Sequence, residues 1–265
     1  MGSATRHATT AARAVLAKSL PASLATAEAL FGASAVIASS TQLRSLLSDP
    51  DIPAGDKQKL VSDVFGKGFD KDALELVGAA TAQRWSNSDD LVSGIEDLAL
   101  RASASSVKNA GEIESELFAF ARAVSSNAEL ELALGSKLGD PDAKAALART
   151  LLTKAKALPA TVVIVASLVR SPRGRRIGSL LRTAAITVAD QSGCLVASVT
   201  SAQPLTSTQL NTVSSIVAAR YGRKAVLNVH VEESALGGVR IQVADDVIDG
   251  SIATLLDDLR AQLAG

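Results

Sequence analysis

The side chains that could carry out chemistry are few, and most of them lie near the carboxyl end of the chain. Asp245, Asp246 and Asp249 are spaced closely enough for a pair of carboxylates to act as general acid and base. A polar hairpin turn followed by the beginning of a helix accounts for the same residues without catalysis. The histidines are His7 and His230, and His230 stands in an alternating run, where it is either a surface residue or a metal ligand or base. An enzyme that uses the carboxylates of 245–249 remains one alternative.

Metal and cofactor chemistry finds no support in the sequence. The single cysteine, Cys194, can form neither an intrachain disulfide nor a multi-cysteine zinc site, and we expect it to be buried at the beginning of a strand. The chain has no G-x-x-x-x-G-K-[ST] phosphate loop and no H-E-x-x-H motif. Gly237-Gly238 leads into a strand rather than a helix, so it is not a dinucleotide-binding fingerprint. We predict no catalytic residue, no metal site and no cofactor.

A basic cluster over 170–176, continued by Arg182, is the candidate surface for nucleic acid or an acidic partner. The chain carries 27 basic and 27 acidic residues, so it has no net charge to attract a polyanion. Aromatic side chains, which stack on bases, make up only 3% of the residues and do not interleave the arginines. A solvated loop or the rim of a protein contact explains the cluster better, and we predict no nucleic-acid partner. An RNA- or ribosome-associated adaptor using Arg170–Arg182 stays the runner-up function.

Composition places the chain among ordinary globular proteins. Its 265 residues are 47% hydrophobic, and Ala, Leu and Ser dominate the amino-terminal two thirds, which favours helices packed through small side chains. The longest apolar run, 162–169, is interrupted by Ser167 and is far shorter than the ~20 residues that cross a bilayer, so we predict no membrane span. The first 27 residues contain no acid, as in an organelle transit peptide, but their apolar stripe favours a first helix.

The apolar spacing of residues 11–102 indicates a run of short helices. One helix ends before Asp49-Pro50 and the next begins at Pro53, because proline disfavours a continuing helix but suits its first turn. A last apolar stripe over 91–98 completes the set. We predict a small antiparallel helical bundle for this part of the chain.

Residues 113–189 repeat the plan of this bundle. Both stretches run from an apolar helix through an Asp-Pro break to a lysine-bearing helix, a long apolar helix, an arginine-bearing loop and a final helix. At an offset of 87 residues, or 86 after a slip of one, the pairs are Leu43 with Leu130, Leu47 with Leu134, Lys57 with Lys144, Leu60 with Leu147, Val64 with Leu151, Phe65 with Leu152, Arg84 with Arg170, Leu91 with Ile177 and Ile95 with Leu181. We predict an internal duplication with a junction at 103–111. Two bundles built independently from generic helices are the alternative.

From Gly193 the apolar period changes from that of a helix to that of a strand. A strand over 195–201 is followed by a helix that begins with the capping box of Thr206 and Gln209 and ends before Gly222. We therefore expect a strand and a helix to begin a new domain here.

Three alternating runs follow, at 226–231, 239–243 and 247–248, and apolar residues at helical spacing close the chain. The predicted fold is therefore mainly α, with two successive antiparallel helical bundles followed by a small α+β domain of the order β-α-β-β-α.

The closing stretch resembles the C-terminal signature of the delta subunit of the bacterial F-type ATP synthase, the counterpart of the mitochondrial oligomycin-sensitivity-conferring protein. LVASVTSAQPLTSTQLNTV is similar to the strand–helix unit of that family, and SALGGVRIQVADDVIDGSI holds its Gly-Gly element and the Asp-Gly-Ser start of its last helix. These signature residues are Gly237, Gly238, Asp249, Gly250 and Ser251. The stretch QLRSLLSDPDIPAGDKQKLVSDVF resembles the family's N-terminal domain, although the aromatic residue usual early in the first helix is missing from AARAVLAKSL.

The resemblance implies a non-catalytic stator subunit that resists the torque of rotation. Such a subunit links the alpha subunits at the top of the catalytic head, with the beta subunits as a further candidate, to the b subunit of the peripheral stalk. It also implies a peripheral place on the cytoplasmic side of the bacterial cell membrane, within the ATP synthase complex.

An ordinary delta subunit has one helical bundle, and the internal duplication accounts for the surplus of about 90 residues in this chain. We expect residues 1–103 to be the head-binding bundle, 104–190 to be its repeat and 191–265 to bind the stalk. The partner-binding residues expected on the last helix, partly against its own domain and partly against the stalk, are Leu255, Leu256, Leu259 and Leu263. Each leucine that is buried there contributes about 1.5 to 3 kcal/mol.

Overall fold

The computed structural model of the protein describes residues 2–136, 138–232, 238–243 and 246–249. The chain divides into two compact units, Met1–Val188 and Ala189–Gly265. Helices form the described part of the first unit, and the second unit carries a four-stranded sheet with one complete helix of its own. The predicted fold class, helical bundles followed by a small α+β domain, is confirmed.

Six helices form the first bundle, and side-chain caps determine where most of them begin. They are α1 (Ser3–Leu16), α2 (Leu24–Ser39), α3 (Thr41–Ser48), α4 (Ala54–Phe65), α5 (Lys71–Thr81) and α6 (Ser88–Ser105). The side chains of Ser23, Ser40, Asp70 and Asn87 accept hydrogen bonds from first-turn amides of α2, α3, α5 and α6. These amides have no partner within the helix, so each cap stabilises its helix by about 1 kcal/mol.

Five further helices follow in the order of α2 to α6. They are α7 (Ala110–Ser125), α8 (Ala128–Gly135), α9 (Pro141–Lys154), α10 (Pro159–Arg170) and α11 (Ile177–Gln191). At the offset of 87 residues, α3 coincides with α8 from end to end. Equivalent side chains are equally buried: Leu47 and Leu134 are both 0% exposed, and Phe65 and Leu152 are 6% and 4% exposed. The matching helices and cores support the predicted duplication.

The helix α6 is shared by the two bundles. It packs against α1, α2, α3 and α5 of the first bundle and against α7 and α10 of the second. Every residue from Leu98 to Ala104 is buried, which a helix with one solvent-facing side does not show. Because α6 continues to Ser105, the junction between the bundles is limited to residues 106–109 and is shorter than the sequence indicated.

The second unit is a sheet of strand order β2-β1-β3-β4. Its elements are β1 (Cys194–Ser201), α12 (Ser207–Tyr221), β2 (Lys224–Val231), β3 (Val239–Val243) and β4 (Asp246–Asp249). β1 and β2 are parallel, with Val199 opposite Val229, whereas β3 lies antiparallel to β1, with Ile241 opposite Val199. Two parallel strands need a crossover connection, which α12 supplies.

Apolar residues from β1, α12 and β3 form the core of this unit. The side chain of Thr206 accepts from the Gln209 amide, and Gln209 Oε1 accepts from the Thr206 amide at 2.8 Å, so the predicted capping box is confirmed. Gly222 ends α12 with φ of +67°, as glycine does after many helices. Cys194 is the first residue of β1, as predicted. Its side chain is only partly buried, so the expectation that it would be buried is wrong.

Candidate functional site

The signature residues that the structure describes lie at the ends of β3 and β4. Gly238 has φ of +79°, a conformation that glycine adopts without strain, and β3 begins directly after it. Asp249 ends β4. The predicted residues that lie outside the described part are Gly237, Gly250, Ser251, Leu255, Leu256, Leu259 and Leu263. Their roles stay predictions.

The carboxylate of Asp246 has partners that account for its charge. Nη2 of Arg220 donates to Asp246 Oδ2 at 3.3 Å, and the Tyr221 hydroxyl donates to the same oxygen. This hydrogen bond raises the pKa of Tyr221. Asp245 lies outside the described residues. Because the Asp246 carboxylate is paired with Arg220 and accepts from Tyr221, its contacts support the hairpin-turn interpretation over an acid–base site.

His230 has a local partner on its own strand. Its Nε2 lies 2.8 Å from Nδ2 of Asn228, and Asn228 is 4% exposed. Among the described residues, no group of three or more His, Cys, Asp or Glu side chains is placed to hold a metal ion. A structural role for this histidine explains its contacts.

The basic cluster contributes to the fold. Both terminal nitrogens of Arg175 donate to the Glu96 carboxylate at 2.8 Å, and Arg173 donates to it at 2.9 Å. Glu96 lies on α6 with its side chain 11% exposed, and Arg170 pairs with Asp142 at 2.8 Å. Arg173 and Arg175 are therefore not simply solvated, because each pairs with a carboxylate of α6. Arg176 and Arg182 are exposed. Pairing of Arg173 and Arg175 within the chain reduces the charge available to a phosphate backbone, which disfavours the RNA-binding alternative.

A second carboxylate of α6 ties this helix to α1. Arg13 reaches across to the two oxygens of Asp97 at 2.7 and 2.8 Å, and Arg101 on the same helix donates to Asp97 at 2.9 Å. The side chains of Arg101 and Asp97 are 7% and 17% exposed. The Arg101–Asp97 pair is largely removed from water and is therefore less screened than a surface pair, whereas the Arg13 side chain is 40% exposed.

Equivalent helix pairs in the two bundles are joined by a threonine and a carboxylate. In the first bundle, Thr26 of α2 donates to Asp70 at the start of α5 at 2.8 Å. In the second, Thr161 of α10 donates to Glu116 of α7, which also accepts from the Leu158 amide at 3.0 Å. In the first bundle the carboxylate lies at the start of α5, and in the second it lies on α7, the equivalent of α2. The hydrogen bond joins equivalent pairs of helices in both bundles, α2 with α5 and α7 with α10. Such contacts fix the bundle geometry that any partner-binding surface depends on.

Besides Glu96 and Arg101, three further ionisable residues of the described helical unit are almost fully buried. Lys57 and Lys144, an equivalent pair, are 4% and 8% exposed, and Glu114 of α7 is 0% exposed. Burial lowers the pKa of Lys57 and raises that of Glu114 to about 7, because a low-dielectric environment disfavours the charged form. The sequence had paired the two lysines, but burial of Glu114 could not be seen in a helix rich in other acids.

Two clefts lie at equivalent places in the bundles. The α4 cleft, of about 480 Å³, is lined by residues 50–54, Lys57 and 82–84. The α9 cleft, of about 860 Å³, includes Lys144 and Arg170 in its lining. Among the described side chains, neither cleft holds a group of three or more His, Cys, Asp or Glu placed to bind a metal ion. Both clefts are candidate binding surfaces.

No single helix among the described residues is both long and apolar enough to cross a bilayer. The helices α2 and α3 meet the length and composition criteria only together, and the chain bends by 107° between them.

Comparison with known proteins identifies close relatives over the whole chain. The family model for the ATP synthase delta (OSCP) subunit matches residues 98–263. The ATP synthase subunit delta of Leifsonia xyli subsp. xyli is 48% identical over 266 residues, with 100% of both chains covered. The protein of the same name from Streptomyces avermitilis is 38% identical over 241 residues, covering 90% of this chain and 88% of the relative.

A chain in the cryo-EM structure of the Toxoplasma gondii mitochondrial ATP synthase hexamer shows a weaker likeness. It shares 23% sequence identity with a TM-score of 0.43, over 64% of this chain and 95% of that chain. The family model, which spans more than half of the chain, and the full-length relatives decide the assignment. The chain belongs to the ATP synthase delta (OSCP) subunit family.

Proposed function

We propose that this chain is a stator subunit of the proton-translocating F-type ATP synthase. It links the alpha subunits at the top of the catalytic head, and the beta subunits beside them, to the b subunit of the peripheral stalk. Its place is peripheral, on the cytoplasmic side of the bacterial cell membrane. Family membership supports a non-catalytic component of this complex.

The observation that carries the linking role is the construction of α6. A stator must resist torque, which requires a helical body that does not shear between its parts. The helix α6 packs against both bundles, and Glu96 and Asp97 tie it to arginines on either side. One buried helix common to both bundles supports transmission of force without a flexible joint.

We assign head binding to the helical unit and stalk binding to residues 191–265. The sequence predicts head binding for residues 1–103, whereas the family model begins at residue 98 and therefore matches the second bundle. We propose that both bundles contact the head, with the second in the place of the single bundle of ordinary delta subunits. The final leucines, from Leu255 to Leu263, supply the apolar face for the stalk.

Co-purification tests the proposal. Membranes solubilised in mild detergent at low salt, with an affinity tag on this chain, should yield the alpha and b subunits as companions. A tagged chain that elutes without either subunit under these conditions contradicts the stator role.

The substitution Leu259→Asp tests whether the last helix binds the b subunit without contributing to head binding. A carboxylate on the apolar face of the last helix should weaken pull-down of the b subunit at least tenfold, because a charge cannot be buried there without a partner. Binding of the isolated catalytic head should be unchanged. Unchanged binding of both partners would contradict the assignment of Leu259 to the stalk contact, and the circular dichroism spectrum serves as the control for folding.

A further inference from the structure

The α4 cleft and the α9 cleft differ in how their polar groups are satisfied. At the start of α9, next to the lining residue Pro141 of the α9 cleft, Asp140 accepts hydrogen bonds from the amides of Asp142 and Ala143 at 3.3 and 3.1 Å and so caps α9. Nζ of Lys144 donates to the Ser136 carbonyl, and Arg170 pairs with Asp142 at 2.8 Å. The amides of Asp142 and Ala143, the Lys144 ammonium group and the Arg170 guanidinium group therefore each have an acceptor within the chain.

In the α4 cleft the equivalent acceptors are missing from the sequence. Pro53 stands where Asp140 stands in the repeat, with nearly the same backbone conformation, φ −57° and ψ 140° against −58° and 124°. It offers no side-chain acceptor, so no side chain caps the first turn of α4. Gly55 stands where Asp142 pairs with the arginine of the second bundle. The amides of Ala54 and Gly55 therefore have no side-chain cap, whereas the Asp56 amide donates to the Pro53 carbonyl at 3.0 Å.

Two cations of the α4 cleft also lack an acceptor among the described residues. Lys57 lines the cleft at 4% exposure, and its hydrogen-bonded counterpart Lys144 shows what such a buried ammonium group requires. Arg84, the counterpart of Arg170, lines the same cleft. Asp49 lies near enough to favour the charged form of Lys57, but burial has the larger effect on its pKa.

We propose that the α4 cleft binds a carboxylate on an acidic segment of a partner protein. The Lys57 ammonium group, the Arg84 guanidinium group and the amides of Ala54 and Gly55 hold the carboxylate, as a helix N-terminus and charge-assisted hydrogen bonds favour. Pro50 and Ile52 supply apolar walls for the neighbouring side chains of the segment. That the partner is another ATP synthase subunit rests on the proposed function, whereas the carboxylate site does not.

The second bundle indicates which occupant suits the α4 cleft. There the Asp140 carboxylate accepts from the amides at the start of α9, and the Asp142 carboxylate pairs with Arg170. A carboxylate from a partner protein supplies the same chemical group to the equivalent place in the first bundle. Asp51 also lines the cleft, and Asp49 lies beside Lys57, so a doubly charged phosphate group meets more repulsion from these acids than a carboxylate does.

The experiment uses the full chain labelled with 15N and the peptides acetyl-GLELG-amide and acetyl-GLQLG-amide. The glutamate peptide should shift the amide resonances of Ala54 and Gly55 in a saturable way, and the glutamine peptide should not. The amides of Asp142 and Ala143 are the internal control, because Asp140 already caps them. Shifts in the second bundle instead of the first would overturn the proposal.

Matched variants identify the groups that bind. Lys57→Met and Arg84→Gln should each weaken the glutamate peptide about tenfold or more, as loss of a charge-assisted hydrogen bond does. Lys144→Met should leave its affinity unchanged. The double substitution Pro53→Asp with Gly55→Asp installs the acceptors of the second bundle, so it should abolish binding and raise the melting temperature.

Three further results would overturn the proposal. They are undiminished binding by the double variant, equal loss of affinity in Lys57→Met and Lys144→Met, and inorganic phosphate binding as tightly as the glutamate peptide. Because Arg84 is exposed, Arg84→Gln keeps the test decisive even if Lys57→Met does not fold. None of these outcomes depends on the stator role, which the co-purification experiment tests separately.

Discussion

Glu114 of α7 is a carboxylic acid enclosed by the helical unit without a hydrogen-bond partner. Its side chain is 0% exposed, and neither carboxyl oxygen has a partner among the described residues. Burial raises its pKa from 4.5 to about 7, so the folded state holds the proton where the unfolded chain has released it. A single residue thus couples the stability of the second bundle to pH near neutrality.

We predict that this coupling disappears in Glu114→Gln. In the wild type, the contribution of Glu114 to stability is complete below about pH 4.5 and is lost as the pH rises through about 7. The loss is on the order of 3 kcal/mol, because each pKa unit corresponds to about 1.4 kcal/mol. The amide does not titrate, so the variant should gain stability relative to the wild type between pH 5 and pH 8.

Urea unfolding at the two pH values measures this difference. Trp85, the only tryptophan of the chain, is 6% exposed in the first bundle, and its fluorescence reports on the helical unit. If the wild type and Glu114→Gln lose the same stability from pH 5 to pH 8, the pH dependence belongs to other groups.

At the scale of elements, α6 is both the last helix of the first bundle and a core helix of the second. Two neighbouring carboxylates of α6 form ion pairs with different parts of the helical unit. Asp97 binds Arg13 of α1, and Glu96 binds Arg173 and Arg175 of the loop before α11. The helix is therefore held by charge on two sides as well as by apolar packing.

We predict that Glu96→Gln destabilises the helical unit by more than a surface pair contributes. Removal of the carboxylate leaves two partly buried guanidinium groups without a counterion. The cost should lie between the ~1 kcal/mol of an exposed pair and the ~3 to 5 kcal/mol of a buried one. Asp89→Asn is the matched control, because Asp89 lies on the same helix, pairs with Arg44 and is 75% exposed. Equal urea midpoints for the two variants would contradict the role given to Glu96.

At the scale of the whole molecule, the two bundles form one compact unit and expose apolar residues on equivalent helices. Leu46 of α3 is 47% exposed and Leu132 of α8 is 73% exposed. The two leucines stand one residue apart in the alignment of the repeats, since Leu46 meets Ala133 and Leu132 meets Ser45 at the offset of 87. An exposed leucine on each of two equivalent helices suits a contact with a partner that presents more than one copy of the same surface. The head, with several alpha subunits, meets that description under the proposed function.

We predict that Leu46→Glu and Leu132→Glu each weaken binding to the isolated catalytic head several-fold, and that the double variant weakens it further. Neither residue is in the core, so the free energy of unfolding should change by no more than about 0.5 kcal/mol. Ile216→Glu on α12 of the second unit, where Ile216 is 53% exposed, is the control and should leave head binding unchanged. Loss in only one of the two leucine variants would show that a single bundle contacts the head through this face.

Local patterns in the chain were sufficient for much of the fold. The break at Asp49-Pro50, the capping box of Thr206 and Gln209, and Gly222 after α12 all act through neighbours in sequence, and the structure confirms them. The pairing of Lys57 with Lys144 in the repeat agrees with their burial, 4% and 8% exposed. Proline, capping residues and glycine act on the backbone within a few residues, so the ends of helices that they determine can be predicted from the sequence alone.

The sequence by itself determined the two helical bundles, the period-two strands and the family resemblance, because these depend on local spacing and on motifs. Only the tertiary structure decided that α6 serves both bundles, that β1 lies between β2 and β3, and that Arg173 and Arg175 turn inward to Glu96. It also decided that Lys57 and Lys144 are buried at equivalent places in the two bundles. Each of these depends on residues far apart in the chain, whose distance and burial no local period encodes.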